Sequence, residues 1–246
     1  MLNKCLVLLC MLCLCASASV AAIKGFDTAE GQVLGTPLKT SGYIYSYGAD
    51  DGVIANDQIF AGDQSLKVDF AAYRSFGGRF DVVADPGNRY LYSGAVRLTA
   101  STHSLTAGVT ALRYGSNAHV APVMVYQNGT EARVTYNTAA GSTTIALTRS
   151  QVADQWLVIE TLLNNNDGTY SFKLFNADKT QTLASASDGV FAGGVMVGNP
   201  RYAIYTDTGS LDTVVHFDSL KAIPEPGCLS LLGLGAIGLL KKRRTL

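Results

Sequence analysis

The chain reads as all-β, a two-sheet antiparallel sandwich, on three observations. Apolar and polar residues alternate with a period of two through successive runs, turn dipeptides separate those runs, and no stretch sustains an apolar stripe at helical spacing over three turns. The alternation predicts strands over 65–70, 90–98, 104–113, 121–127, 132–137, 143–147, 156–163, 169–176 and 214–222. Asp51-Gly52, Asn128-Gly129, Asp167-Gly168 and Asp188-Gly189 mark connections between them. Gln127-Asn128-Gly129-Thr130 predicts a hairpin with a type I′ turn, because Asn-Gly accepts the positive φ angles that turn requires. Asn164-Asn165-Asn166-Asp167-Gly168 reads as a second hairpin loop and not as a ligand cluster.

The two ends differ from this body. Lys4 precedes an apolar run from Cys5 to Ala16, and small residues follow through Ala22. This is the pattern of a secretory signal peptide, expected to start as a signal helix and to be cut after Ala22 or after Ala18. The residues before Cys13 and Cys15 are Leu12 and Leu14, which does not suit a lipidated cysteine. At the other end, Ile223-Pro224-Glu225-Pro226-Gly227 leads into an apolar run of thirteen residues, Cys228 to Leu240, and then Lys241-Lys242-Arg243-Arg244. As a helix that run reaches about 20 Å, against a hydrocarbon core of ~30 Å, so it makes a poor permanent span. Basic residues at both extremes are expected on the cytoplasmic side, with the body outside. The expected units are 1–22, 23–222 and 223–246, the last forming a short hydrophobic helix behind the prolines.

Charge and cysteine content narrow the function. Between the two ends the body carries four more acidic than basic residues, so nothing favours nucleic acid. Its cysteines all lie in the end segments, which leaves an exported body without disulfides and dependent on its packed core. About 200 residues suffice for one such core.

The ordered tail, prolines then apolar run then basic stop, resembles the PEP-CTERM sorting signal of Gram-negative bacteria. The resemblance covers residues 223–246 and implies an exosortase that cuts near Pro224, Glu225 and Pro226 and discards the rest. In the body, Gly25-Phe26-Asp27-Thr28-Ala29-Glu30-Gly31, Gly62-Asp63-Gln64-Ser65-Leu66-Lys67-Val68, the 156–175 hairpin and Val215-His216-Phe217-Asp218-Ser219-Leu220 follow a common order. That order is similar to concanavalin A-like (LamG-like) jelly rolls, and it implies the same two-sheet sandwich.

Catalytic constellations are sparse. Laminarinase-type jelly rolls carry a Glu-x-Asp-x-x-Glu strand motif that sets two carboxylates on one face. The three body glutamates, Glu30, Glu131 and Glu160, do not form it. His103, His119 and His216 have no metal-ligand spacing, and no Gly-x-Ser-x-Gly elbow presents a serine. The chain is therefore expected not to be an enzyme. Tyr43, Tyr45 and Tyr47 alternate, as do Tyr90 and Tyr92, so each set is expected on one strand face, where phenols stack on sugar rings. Trp156 reads as a core residue. Some sugar-binding jelly rolls hold a structural calcium between first and last strands, and by that resemblance Asp27, Glu30 and Asp218 are the expected ligands. Asp207 and Asp212 are a second acidic pair on one loop.

The expectation is an exported protein, tethered to the inner membrane as a precursor and then placed at the cell surface or outside. Signal peptidase and exosortase are its processing partners and exopolysaccharide its expected ligand. A polysaccharide-active enzyme and a purely structural matrix protein are the two alternatives.

Overall fold

Strand alternation builds two antiparallel sheets that close face to face. The computed structural model describes residues 22–24, 26, 28, 31–37, 45–48, 52–70, 75–80, 89–112, 118–194, 201–208 and 213–224. Strands are numbered along the chain. The first sheet contains β1 (Ala22–Lys24), β3 (Gly52–Ala55), β4 (Ser65–Phe70), β6 (Arg89–Leu98), β11 (Trp156–Asn164), β12 (Thr169–Asn176), β13 (Thr182–Val190) and β15 (Thr213–Pro224). The second contains β2 (Tyr45–Gly48), β5 (Ser75–Phe80), β7 (Leu105–Leu112), β8 (Val123–Gln127), β9 (Ala132–Thr138), β10 (Gly141–Leu147) and β14 (Arg201–Thr208). A single short helix among the described residues, α1 (Arg149–Val152), links β10 to β11. The expected terminal helices lie outside the described residues.

The spatial order of the first sheet is β13-β12-β11-β6-β15-β4-β3, and that of the second is β10-β9-β8-β7-β14-β5-β2. Sequence-distant strands therefore meet at the centre of each sheet. β15 is the hub of the first. Its residues Thr213 to Phe217 pair with β4, and Val215 to Asp218 pair with β6. The register then shifts between Asp218 and Lys221, at Ser219 with φ +49°, and beyond it β15 pairs with β6 and β1. Ala22 lies directly opposite Ala222, and Pro224 opposite Tyr90. Because β1 and β15 are antiparallel, the chain enters the one and leaves the other at the same end of the sheet. The last strand also continues two residues past the expected boundary at Ala222.

Alternate residues of each strand fill the space between the sheets. Tyr90, Tyr92, Val96 and Leu98 of β6 face Leu105, Ala107 and Val109 of β7 across a core that also takes Phe217, Tyr170, Phe172, Val134 and Tyr202. Each large apolar side chain so buried contributes roughly 1.5–3 kcal/mol. Tyrosine hydroxyls cross between sheets. Tyr202 Oη donates to the Ser93 carbonyl at 2.8 Å. Tyr170 Oη accepts from the Asn137 N–H at 2.8 Å and donates to the Pro122 carbonyl at 3.2 Å. Tyr136 Oη donates to Asp188 Oδ1 at 3.1 Å.

Two turn expectations are corrected. The β8–β9 connection is a four-residue loop closed by Gln127 opposite Ala132, and neither Asn128 nor Gly129 has a positive φ. Asn128 Oδ1 instead accepts from the N–H groups of Thr130 and Glu131, both at 2.8 Å, so a side chain takes the place of the type I′ backbone. Gly129 packs closely here, since a Cβ would stand 3.2 Å from the Thr102 carbonyl oxygen. Asp188-Gly189 is no turn but lies inside β13. The 164–168 hairpin forms as expected, with Gly168 at φ +69°.

Gly94 sits at the centre of the core, where a Cβ would lie 2.7 Å from Tyr202 Oη and 2.8 Å from Leu220 Cδ2. Gly94→Ala is therefore expected to cost about 2 kcal/mol by displacing the Tyr202–Ser93 hydrogen bond. Denaturant unfolding reads this, and an unchanged midpoint would contradict the packing described.

Candidate functional site

In β15, Val215 and Phe217 enter the core, so His216 and Asp218 point to the outer face of the first sheet. Both are nonetheless buried, with 2% and 0% of their surface exposed. The segment between β3 and β4, residues 56–64, covers them. Phe60 and Ala61 each donate a backbone N–H to Asp218 Oδ2 at 3.0 Å, and Ser219 N–H donates to Oδ1 at 2.5 Å. Ser65 Oγ donates to the Gln58 carbonyl at 2.6 Å and pins the same segment. Gln64 Nε2 donates to Thr28 Oγ1 and Thr28 N–H to Asp63 Oδ1, both at 3.0 Å, tying it to the N-terminal stretch.

A small polar cluster continues from this strap. His216 Nε2 is 3.2 Å from Asp57 Oδ1, and Lys67 Nζ is 3.1 Å from Asp57 Oδ2. Burial pushes the His216 imidazole below its ordinary value, with Asp57 pulling the other way. For Asp57, partial burial raises the carboxyl, but the Lys67 ammonium and His216 outweigh it and hold it below its usual range. The Phe60 and Trp156 rings are tilted at 5.6 Å, and Trp156 stands 6.4 Å from His216. Trp156 is half-buried on the outer face and not in the core as expected. It also borders a cleft of about 210 Å³ where β11 begins, with Gln151, Gln155, Asn176, Gln181 and Leu183.

The sequence-expected residues distribute unevenly over this frame. Tyr90 and Tyr92 do share one face, but it is the inner one, each about 1% exposed. Ligand contact through them is corrected: Tyr92 packs edge-on against Tyr202 at 4.8 Å, and burial drives its hydroxyl pKa well up. Tyr45 and Tyr47 lie on β2, in register with Arg79 and Gly77, whereas Tyr43 lies outside the described residues. Of the expected calcium ligands, Asp27 and Glu30 lie outside the described residues. Asp218 is described, and its carboxylate is spent on three backbone donors. Among the described residues, no group of three His, Cys, Asp or Glu side chains gathers as a metal centre. Glu160 lies on the outer face, 2.6 Å from Lys179 Nζ. Glu131 lies 2.5 Å from Arg133 Nη1. Sequence reading missed the strap and the Asp57–Lys67–His216 cluster. The legible signal was His216 between Val215 and Phe217, which put a histidine on the outer face of a strand.

Among the described residues no helix is long and apolar enough to cross a membrane. Residues 222–244 match the family model described as the PEP-CTERM protein-sorting motif. The chain ends in a PEP-CTERM sorting motif. That motif implies exosortase processing, and its first residues, Ala222 to Pro224, are the last of β15. Among curated proteins none matches the chain. Among solved structures, a protein of unknown function from Shewanella oneidensis MR-1 is similar, with a TM-score of 0.50 and 12% identity over 84% of this chain and 87% of that one. The T. cruzi calreticulin globular domain gives 0.47 and 10%, over 86% of this chain and 100% of that one. The binding domain of botulinum neurotoxin serotype G gives 0.46 and 10%, over 81% of this chain. The chain spans about half of that neurotoxin domain, 48% of its length. These are likenesses of fold alone.

Two outcomes follow from the strap. Asp218→Ala leaves three backbone N–H groups without their acceptor and is expected to cost about 3 kcal/mol, Asp218→Asn less because it keeps an acceptor oxygen. His216 binds its proton less readily folded than unfolded, so its contribution is intact above the unfolded value of 6.5 and is lost progressively as pH falls below it. Melting temperature should therefore decline from about pH 6.5 downward, and less steeply in His216→Gln. A variant with the parent's pH profile would remove His216 from that account.

Proposed function

We propose that this chain is an exported precursor, processed at both ends, whose β-sandwich is delivered to the cell surface or extracellular matrix and binds polysaccharide there without catalysing a reaction. The observation that carries the reading is the junction of motif and fold. The sorting motif begins within β15, directly beside β1, so the segments before Ala22 and after Pro224 depart from one end of the first sheet. That arrangement suits a body held outside while two apolar, basic-flanked segments enter the same membrane. The signal pattern before Ala22 supports export, and Pro224-Glu225-Pro226 supports exosortase as the processing partner. Non-catalysis is supported by the two described glutamates, Glu131 and Glu160, each engaged in an ion pair with a surface cation.

Mass spectrometry of the exported protein tests the processing. The expected product begins after Ala22 or Ala18 and lacks Lys241 to Leu246. An exported mass that retains that basic tail would refute cleavage. Incubation with extracellular polysaccharide is expected to retain the protein without releasing reducing ends. Release of reducing ends would establish an enzyme instead.

A further inference from the structure

The cleft beside Trp156 is built from two connections, β10–β11 and β12–β13. Gln151 comes from α1, Gln155 from the turn after it, and Trp156 opens β11. Asn176 ends β12, and Gln181 and Leu183 lie at the start of β13. Two of these amides hold the walls. Gln151 Oε1 accepts from the Thr148 N–H at 2.8 Å, which fixes that side chain and leaves its NH2 without a protein acceptor. Asn176 Oδ1 accepts from the Gln181 N–H at 2.9 Å, and its Nδ2 donates to Thr180 Oγ1 at 3.0 Å, which ties the β12–β13 turn together. The side-chain amides of Gln155 and Gln181 are exposed and make no hydrogen bond within the protein. No side chain bordering the cleft carries a charge. The nearby Lys179 and Glu160 neutralise each other at 2.6 Å.

We infer that this cleft is a subsite for one ring of a neutral saccharide. The chemistry is specific in three respects. Each free amide offers a donor and an acceptor on one planar group, which matches vicinal hydroxyls that are themselves both. Trp156, which borders the cleft, brings an apolar indole surface and one N–H donor, and Phe60 and His216 pack beside its ring on the outer face. The charge-free lining gives no compensation for desolvating an anion, so acidic polymers are disfavoured. A volume near 210 Å³ holds one sugar ring and leaves the neighbouring residues of a polymer in solvent. The inference deepens the reading of the body as a polysaccharide-binding module and rests on it.

Trp156 is the one tryptophan in the chain and borders the cleft on one side and Phe60 and His216 on the other, so its emission reports on this region of the outer face. The mature exported protein is titrated with soluble glucan, mannan and galactan oligosaccharides, and with alginate as the acidic control. Calorimetry and tryptophan emission are read in parallel. A neutral oligosaccharide is expected to change emission saturably at the calorimetric midpoint, and Gln155→Ala/Gln181→Ala is expected to weaken it about tenfold. Both glutamines are exposed, so matching melts of variant and parent separate lost binding from lost folding. Calorimetric binding with unchanged emission and an unaffected double variant would place the sugar elsewhere and overturn the cleft while leaving the module reading intact. Binding of alginate alone would overturn the cleft for the same reason. Absence of calorimetric binding to every polymer would overturn both.

Discussion

The sandwich depends on a set of phenol hydroxyls that reach from one sheet to the other. A tyrosine buried between sheets brings a large apolar ring and one polar atom that must find a partner. Tyr202 reaches Ser93, Tyr136 reaches Asp188, and Tyr170 bridges Asn137 and Pro122. Each bond joins a strand of one sheet to the other sheet, so together they fix the lateral position of two surfaces that hydrophobic contact alone leaves free to slide. A body without cysteines has no covalent staple for this task. The rings reinforce the link: Tyr92 meets Tyr202 at 4.8 Å and Tyr136 meets Phe172 at 5.1 Å, both across the sheet interface.

The same fact explains where sequence reading succeeded and where it failed. Period-2 alternation located β4 and β12 at their observed bounds, and most other predicted strands to within one or two residues. Alternation also put Tyr90 and Tyr92 on one face. It could not say which face, because a tyrosine satisfies either side of a sheet and the choice is made by strands distant in sequence. The strands that escaped notice have their own reasons. β5 is Ser-Phe-Gly-Gly-Arg-Phe and β13 is rich in Ser and Ala, so neither carries a clear apolar alternation. β14 has tyrosine on both faces, which blurs the period.

The candidate cleft was less legible than the fold. Its residues span Gln151 to Leu183 and meet only because β11, β12 and β13 are neighbours in the first sheet. Nothing in the local sequence marks Gln155 or Gln181 as facing one another. Trp156 reads as core from the Leu157, Val158 and Ile159 that follow it, yet the inward residues are Leu157 and Ile159. Val158 is buried on the opposite face, so an unbroken apolar run here signals a sheet covered on both sides. The cover on the outer side includes the 56–64 strap, anchored by Asp218. Its carboxylate accepts from the backbone N–H groups of Phe60, Ala61 and Ser219, which holds the strap on the sheet.

The junction between body and tail has the sharpest consequence for function. Ala222, Ile223 and Pro224 belong both to the sorting motif and to the last strand. β15 loses its neighbours in order. Among the described residues β1 pairs as far as Ala222, while β6 pairs as far as Pro224, whose ring nitrogen has no hydrogen to donate to the ladder. From Pro224 to Cys228 there are four chain steps, which span at most about 14 Å when fully extended. Before cleavage the end of the first sheet is therefore held within that distance of the apolar run. A protease acting near Pro224-Glu225-Pro226 meets a backbone that is still engaged with β6 on its upstream side. Cleavage downstream of Pro224 releases a body with its sheet intact, and cleavage upstream would remove rungs opposite Tyr90 and Leu91.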